Sequence, residues 1–236
     1  MKTPKVKLKI SVNADIKNCI FFIKYNIKEN PQYIKWFLPK EVHYVLKNKN
    51  KSKIDKILSE YIKNVFKANN KKIIENVKKA EKDWRVVEKR YFNLVDKIFK
   101  KHPWPNGKYI GFASIFMMYP RDVREKTFLF PGIIYKNTPP VEVVIGHELL
   151  HFIFFDYIKK KYNLNIDSKI KGKEDDYLWK VSEVFNSVIE DWDTYYRIFK
   201  FKTPPYVAKN FYLKMRRQWS KDQDINMLLG RWLKNK

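Results

Sequence analysis

Apolar and polar residues alternate along residues 5–12, where lysine occupies every second position at the start of the run. A period of two predicts a strand with one buried face, and residues 16–25 are its predicted partner strand. From about residue 52 to 101 the apolar residues instead recur every three or four positions, which predicts helices. Asn69 and Asn70 interrupt this pattern, so it divides into two helices or one bent helix.

A group of helix-breaking residues, 101–107, follows the helical stretch and contains two prolines and a glycine. We place a boundary there. Residues 1–105 are predicted to form a basic, mainly helical region, and residues 106–236 a second domain. Apolar runs at 109–116 and 127–130 predict two strands in this second part.

Helices dominate the pattern after these strands. Thr138 is expected to cap a helix that runs to about residue 162. The two prolines that follow Thr138 suit the first turn of this helix. Another helix is predicted over about 175–200, and shorter helices follow from residue 202 onward. Strands and helices in this order predict an α+β fold.

The net charge of the chain is +25, from 50 basic and 25 acidic side chains. Residues 1–105 carry 27 basic and 10 acidic side chains, a net charge of +17, so the positive charge is concentrated in the first half. Scattered lysines are typical of a solvated surface. An excess of this size also attracts polyanions, which makes nucleic acid a candidate partner, with lysines on the phosphates and with Trp84 and Tyr91 stacked on bases.

Cys19 is the only cysteine in the sequence, which excludes an intramolecular disulfide and a zinc site built from several cysteines. The lack of disulfides is typical of a reducing compartment. Apolar stretches such as residues 152–155 are too short to span a bilayer, and we find no pattern of a cleavable leader. These features predict a cytoplasmic protein without a membrane span.

One motif indicates a specific chemistry: residues 147–151 read His-Glu-Leu-Leu-His within a strongly apolar predicted helix. His147 and His151 are four positions apart, so their imidazoles project from the same side of successive turns. Two such nitrogens can bind zinc, and Glu148 is placed to take a proton from zinc-bound water. The alternative for a buried histidine pair is hydrogen bonding within the core.

This motif, together with the strand-then-helix order before it, resembles the zincin metallopeptidases over about residues 106–200. The resemblance implies a zincin-like catalytic domain, a Zn²⁺ cofactor, Glu148 as the catalytic base, and a peptide or protein substrate. No histidine follows His151, so the resemblance is to gluzincins, in which a downstream glutamate is the third ligand. Peptide deformylases share the motif, but the Gly-Cys-Leu context of their cysteine ligand is absent around Cys19.

An acidic stretch at residues 174–193, with seven acidic side chains against one basic side chain, offers that third ligand. In a helix, Glu183, Ser187 and Glu190 fall on one polar stripe. We predict Glu190 as the third metal ligand and keep Glu183 as the alternative.

Three further residues near this stretch are candidates for supporting roles. Asp191 or Asp193 would orient an imidazole by accepting its second N–H group. Tyr195 would donate a hydrogen bond to the oxyanion that forms during hydrolysis.

Two further functions are alternatives to a constitutively active peptidase. The first is a nucleic-acid-associated protein whose zinc site is structural, or acts on proteins bound to DNA or RNA. The second is an autoinhibited or chaperone-like protein in which residues 1–100 keep the site shut as a pro-segment or recruit the substrate.

Overall fold

The computed structural model describes residues 3–26, 34–35, 38–47, 50–167, 175–205 and 207–234. The described chain has an α+β fold, in which helices pack against a small mixed sheet. The strands are β1 (Val6–Lys9), β2 (Tyr109–Ser114), β3 (Arg121–Asp122) and β4 (Thr127–Pro131). The helices are α1 (Val12–Asn26), a 3₁₀ helix (Lys40–Lys47), α2 (Lys51–Ala68), α3 (Asn70–Ile98), α4 (Val141–Tyr162), α5 (Asp176–Asp191), α6 (Asp193–Phe199), α7 (Lys209–Asp222) and α8 (Ile225–Leu233). The predicted fold class is confirmed at this level, while a zincin-like domain stays a prediction.

The sheet has the strand order β1-β2-β4-β3. β2 is parallel to both β1 and β4, and β3 is antiparallel to β4. Val6 is paired with Tyr109, so a strand from the first half of the chain lies beside one from the second half. The predicted boundary after residue 105 therefore runs between elements that share one sheet.

Residues 16–25 lie in α1, so the prediction of a second strand there is wrong. Ser11 accounts for the difference, because its Oγ atom accepts a hydrogen bond from the Ala14 N–H at 3.2 Å and so satisfies a donor in the first turn. Cys19 and Ile23, four positions apart, are both buried on one side of this helix. The apolar run at residues 20–23 is therefore part of a helix with one buried face.

α1 is fixed to the end of β2 by a buried carboxylate. Asp15 accepts hydrogen bonds from the Ser114 Oγ atom at 2.7 Å and from the Ile115 backbone N–H at 3.0 Å. Burial of this carboxyl group raises the pKa of Asp15 to about 6, although both hydrogen bonds act to lower it. The contact positions α1 against the sheet.

The central element is α4, which packs against α3, α5 and β4. Its residues are buried on nearly every side, as expected for a helix that is apolar all round. Tyr91 of α3 donates a hydrogen bond to the backbone oxygen of Gly146 at 2.7 Å, which fixes these two helices against each other. Within the described ranges, none of the helices combines the length and the apolar character that crossing a membrane requires.

Most predicted elements of the second half are confirmed, with two changes at helix ends. The helix predicted over 175–200 is divided at Trp192, where the backbone is extended, into α5 and α6. Thr138 does not cap α4: its Oγ1 atom accepts from the Tyr135 N–H at 2.8 Å, and α4 begins after Pro140. In the first half, the predicted break at Asn69 is confirmed as the junction of α2 and α3.

Candidate metal centre

Two histidines project side by side from the middle of α4. The Nε2 atoms of His147 and His151 lie 3.0 Å apart, and their ring centroids lie 4.7 Å apart. The side chain of His151 is completely buried, whereas that of His147 is 16% exposed. The prediction that the two imidazoles project from the same side of the helix is confirmed, because both rings direct a nitrogen toward one point.

Glu183 of α5 completes a group of three metal-binding side chains. One of its carboxylate oxygens lies 3.6 Å from Nε2 of His147, and the other lies 3.5 Å from Nε2 of His151. Two ligand atoms about 2.0–2.1 Å from a tetrahedral zinc ion lie about 3.3 Å apart, which is close to all three observed separations. His147, His151 and Glu183 could therefore hold a metal ion.

Glu190, the carboxylate favoured from the sequence, lies on the other side of the His147 ring. Its Oε1 atom is 2.6 Å from Nδ1 of His147, and its side chain is almost fully buried. A proton on Nδ1, donated to Glu190, leaves the Nε2 lone pair of His147 directed at Glu183 and His151. The geometry thus brings the alternative, Glu183, into the group and gives Glu190 the contact that orients an imidazole.

The backbone of α4 is also held at this point by α5. Asn186 donates a hydrogen bond from Nδ2 to the backbone oxygen of His147 at 3.0 Å. Asn186 lies between Glu183 and Glu190 in α5, so three side chains of one helix contact a single histidine through its two ring nitrogens and its carbonyl group.

Arg121 of β3 is a site residue that the sequence analysis did not identify. Its Nη1 atom lies 3.1 Å from the Glu183 carboxylate and 3.9 Å from that of Glu148, and its side chain is only 7% exposed. The guanidinium also lies over the ring of Phe155, 5.8 Å from the centroid. A strand of two residues has no periodicity, so no pattern in the sequence directed attention to this arginine.

Glu148 is buried beside the three candidate ligands. Its Oε1 atom lies 3.9 Å from Nε2 of His147, and its Oε2 atom accepts no hydrogen bond from the described part of the chain. Burial raises the pKa of Glu148 to about 7, against the opposing effect of His147 and Arg121. A carboxyl group in this environment can exchange a proton near neutral pH.

The pKa values of the two histidines shift in opposite directions. Burial acts to lower the pKa of His147, but the neighbouring carboxylates, above all Glu190, outweigh burial and raise it. Burial and the nearby Arg121 lower the pKa of His151, which keeps that imidazole neutral and able to donate a lone pair. Glu183 stays ionised, because the charges around it outweigh its burial and lower its pKa.

The buried charges of the site can be balanced by protons or by a divalent cation. Glu148, Glu183 and Glu190 are three buried carboxylates, and Arg121 is a single buried cation. The raised pKa values of His147 and Glu148 favour protons on both groups when no metal ion is bound, and these protons offset negative charge that burial disfavours. A divalent cation between His147 and Glu183 would take the place of these protons.

The remaining predicted site residues lie away from the Nε2 atoms. Asp191 accepts a hydrogen bond from the Tyr212 hydroxyl at 2.7 Å and forms an ion pair with Nε of Arg216 at 2.8 Å. Asp193 is exposed in the first turn of α6. Tyr195 is buried behind α4, where its hydroxyl has no hydrogen-bond partner among the described residues. None of these placements corresponds to the predicted roles in orienting an imidazole or in binding an oxyanion.

Comparison with known proteins identifies no relative of this chain. No protein-family model, no curated protein and no solved structure matches the chain. The geometry of His147, His151, Glu183, Glu148 and Arg121 is therefore the basis for assigning a function.

Proposed function

We propose that the chain is a zinc-dependent hydrolase that cleaves peptide bonds. The observation that carries this proposal is the position of Glu148, a buried carboxylate with one unbonded oxygen beside three side chains that can bind a metal ion. Two imidazoles and one carboxylate are a ligand set of catalytic zinc sites, which keep a further position open. Zinc bound there would supply a Lewis acid for the scissile carbonyl and would make water acidic enough to attack it.

The side chains around this position have distinct tasks in the proposed reaction. Glu148 removes a proton from the attacking water and returns it to the leaving nitrogen. Glu190 holds His147 in the tautomer whose Nε2 lone pair faces the ligand group. Arg121 holds the Glu183 carboxylate toward the histidines and offsets part of its negative charge.

Two features of the fold support a zincin-like domain as part of this proposal. The two histidines lie on a buried helix next to a small sheet, and the third side chain comes from the following helix. The same ligand types also suit iron and cobalt. The buried Glu148 favours hydrolysis, because proton transfer to and from water is the task that its position serves.

The first experiment measures the metal content of the untagged protein by elemental mass spectrometry. We expect about one zinc ion per chain in the wild type and none in His151→Ala. His43→Ala is the matched control, because the His43 Nε2 atom contacts the Leu38 backbone oxygen and lies outside the group. A wild-type protein that takes up no metal when zinc is added would exclude the proposed site.

A second experiment tests hydrolysis with a library of fluorescence-quenched peptides. Glu148→Gln should keep its zinc, because Glu148 is not in the ligand group, and should lose activity by about a hundredfold or more. Full activity in this variant would show that Glu148 is not the base. Metal binding without hydrolysis of any peptide in the wild type would limit the proposal to a metal-binding protein.

A further inference from the structure

A line of basic side chains runs along the solvent-facing side of α3. Five of its cations fall within an arc of roughly 60° on the helix and extend over about 27 Å. All five are exposed: Lys71, Lys78, Lys82, Arg85 and Lys89, here called the α3 basic face. Between Lys71 and Lys89 no acidic residue falls within this arc, and Glu75 lies just beside it.

The opposite side of α3 is anchored in the core. Val77, Ala80, Trp84 and Tyr91 are buried, and the helix packs against α4 and α6. The line of cations is therefore held on one helix whose opposite side is packed in the core. A ligand that binds to it meets a preformed array, so little conformational entropy is lost on binding.

The charges of this face are not neutralised within the described chain. None of its five cations forms an ion pair with a described carboxylate, whereas the neighbouring Lys79 pairs with Asp83. Glu88 accepts a hydrogen bond from the Trp84 Nε1 atom at the flank of the line. Lys78, Lys82 and Arg85 also line a shallow depression in the surface, together with Glu81 and Val86.

We propose that the α3 basic face binds double-stranded nucleic acid through its phosphates. A duplex carries one negative charge per about 1.7 Å of its axis, so an array of about 27 Å faces roughly eight base pairs of regular negative charge. Contacts of this kind provide affinity and position without reading the base sequence. The interaction is separate from the proposed hydrolysis, since none of the five cations contacts the metal-binding group.

Other anionic partners fit this face less well. Single strands are usually held by exposed aromatic rings, but Trp84 and Tyr91 are only 3% and 0% exposed, so the prediction that they stack on bases is wrong. A helix that binds to a membrane surface inserts a row of apolar side chains. Along the exposed side of α3, all of which is described, only Val86 is a large and strongly exposed apolar residue.

Fluorescence anisotropy with a labelled DNA duplex of about 24 base pairs tests the proposal. The variant K78E/K82E/R85E removes three of the five cations and should bind about tenfold more weakly at low salt. The plot of log K against log salt concentration has a negative slope, and its magnitude should decrease by about 3, the number of phosphate contacts removed. Circular dichroism checks that the variant is folded.

The matched control is K56E/K63E/K67E, which changes the net charge equally through three exposed lysines of α2. It should retain most of the affinity and nearly the full salt dependence. Equal losses in both triple variants would overturn the proposal, because they would show attraction to total charge and not to one face. A duplex that does not bind at low salt, or that binds more weakly than a single strand or anionic phosphatidylserine vesicles, would overturn it too.

Discussion

Glu190 Oε1 lies 2.6 Å from Nδ1 of His147, on the opposite side of the imidazole from the Glu183 carboxylate. Two glutamates seven residues apart on α5 thus contact one ring from both sides. Only Glu183 lies with His147 and His151 in a group that could hold a metal ion. The two glutamates therefore differ in what their loss should do.

Replacing each glutamate by glutamine should separate a ligand from an orienting group. Glu183→Gln removes a charged ligand, so we expect it to abolish tight metal binding. Glu190→Gln keeps an acceptor for Nδ1–H but loses the charge, so its metal affinity should fall by about ten- to a hundredfold. Titration against a competing chelator measures both constants, and Asp193→Asn, an exposed residue, should leave them unchanged. The reverse order of effects would identify Glu190 as the ligand.

Removing Arg121 should destabilise the metal-free protein more than the metal-loaded protein. Arg121→Met leaves the buried Glu183 carboxylate without its cation, a change that costs about 3 kcal/mol of unfolding free energy. A bound divalent ion offsets the same charge, so the loss should be smaller with zinc than with chelator. By linkage, the variant should also bind metal more tightly.

Denaturant unfolding with zinc and with chelator measures this difference. Arg124→Met is the control, because Arg124 pairs with Asp167 at an exposed position outside the metal-binding group. Equal losses of stability under both conditions would show that Arg121 does not share its role with a metal ion.

Asp15 should make the stability of the fold depend on pH. Burial raises the pKa of Asp15 from its ordinary value of 3.8 to about 6. Because the folded protein then binds the proton more tightly than the unfolded chain, the free energy of unfolding should decrease as pH rises from about 4 to about 6. The shift corresponds to about 3 kcal/mol.

Wild type and Asp15→Asn, unfolded in denaturant at several pH values, isolate this contribution. The difference between their unfolding free energies should move by about 3 kcal/mol in favour of the asparagine variant across this range. Asp176→Asn, at an exposed position in α5, should track the wild type. A constant difference between wild type and Asp15→Asn would contradict the raised pKa.

A methyl group at Gly146 should disturb the packing behind α4. A Cβ atom there would lie 2.8 Å from the Tyr195 hydroxyl oxygen and 2.9 Å from Cζ of Phe199. Tyr195 and Phe199 are stacked with centroids 4.5 Å apart, so neither ring can move freely. We expect Gly146→Ala to lose about 1 kcal/mol of stability, since the strain exceeds the gain in helix propensity.

A double-mutant cycle with Tyr195→Phe checks the cause of that loss. The Tyr195 hydroxyl has no hydrogen-bond partner among the described residues, so its removal should cost little. It also removes one of the two clashes, and the double variant should therefore be more stable than the sum of the single losses predicts. Additive effects, measured by thermal unfolding, would assign the strain to Phe199 alone.

The helices of the site could be predicted from the sequence because helical periodicity is a local property. The four-residue spacing of His147 and His151 placed both rings on one side of α4, and the polar stripe of α5 contained Glu183 and Glu190. Periodicity does not determine how far one helix is displaced along another. The choice between two carboxylates separated by two turns depends on that displacement.

Two other features depended on contacts that local patterns do not encode. Arg121 reaches the site from a two-residue strand that exists only through its pairing with β4. Residues 16–25, predicted as a strand, lie in α1, and Ser11 before them is a helix-capping residue. Cys19 and Ile23 show the four-residue spacing of a buried helix face, which was the available signal.

The pairing of Val6 with Tyr109 has a consequence for the kinetics of folding. Two parallel strands separated by about 100 residues come together only after a long loop has closed, and such contacts slow folding. Until β1 docks, one side of β2 is an open strand edge that another chain could occupy. The helices α1 to α3 lie between β1 and β2 in the sequence. Their early formation would shorten the flexible loop that has to close and would reduce the time for which the edge of β2 is open to other chains.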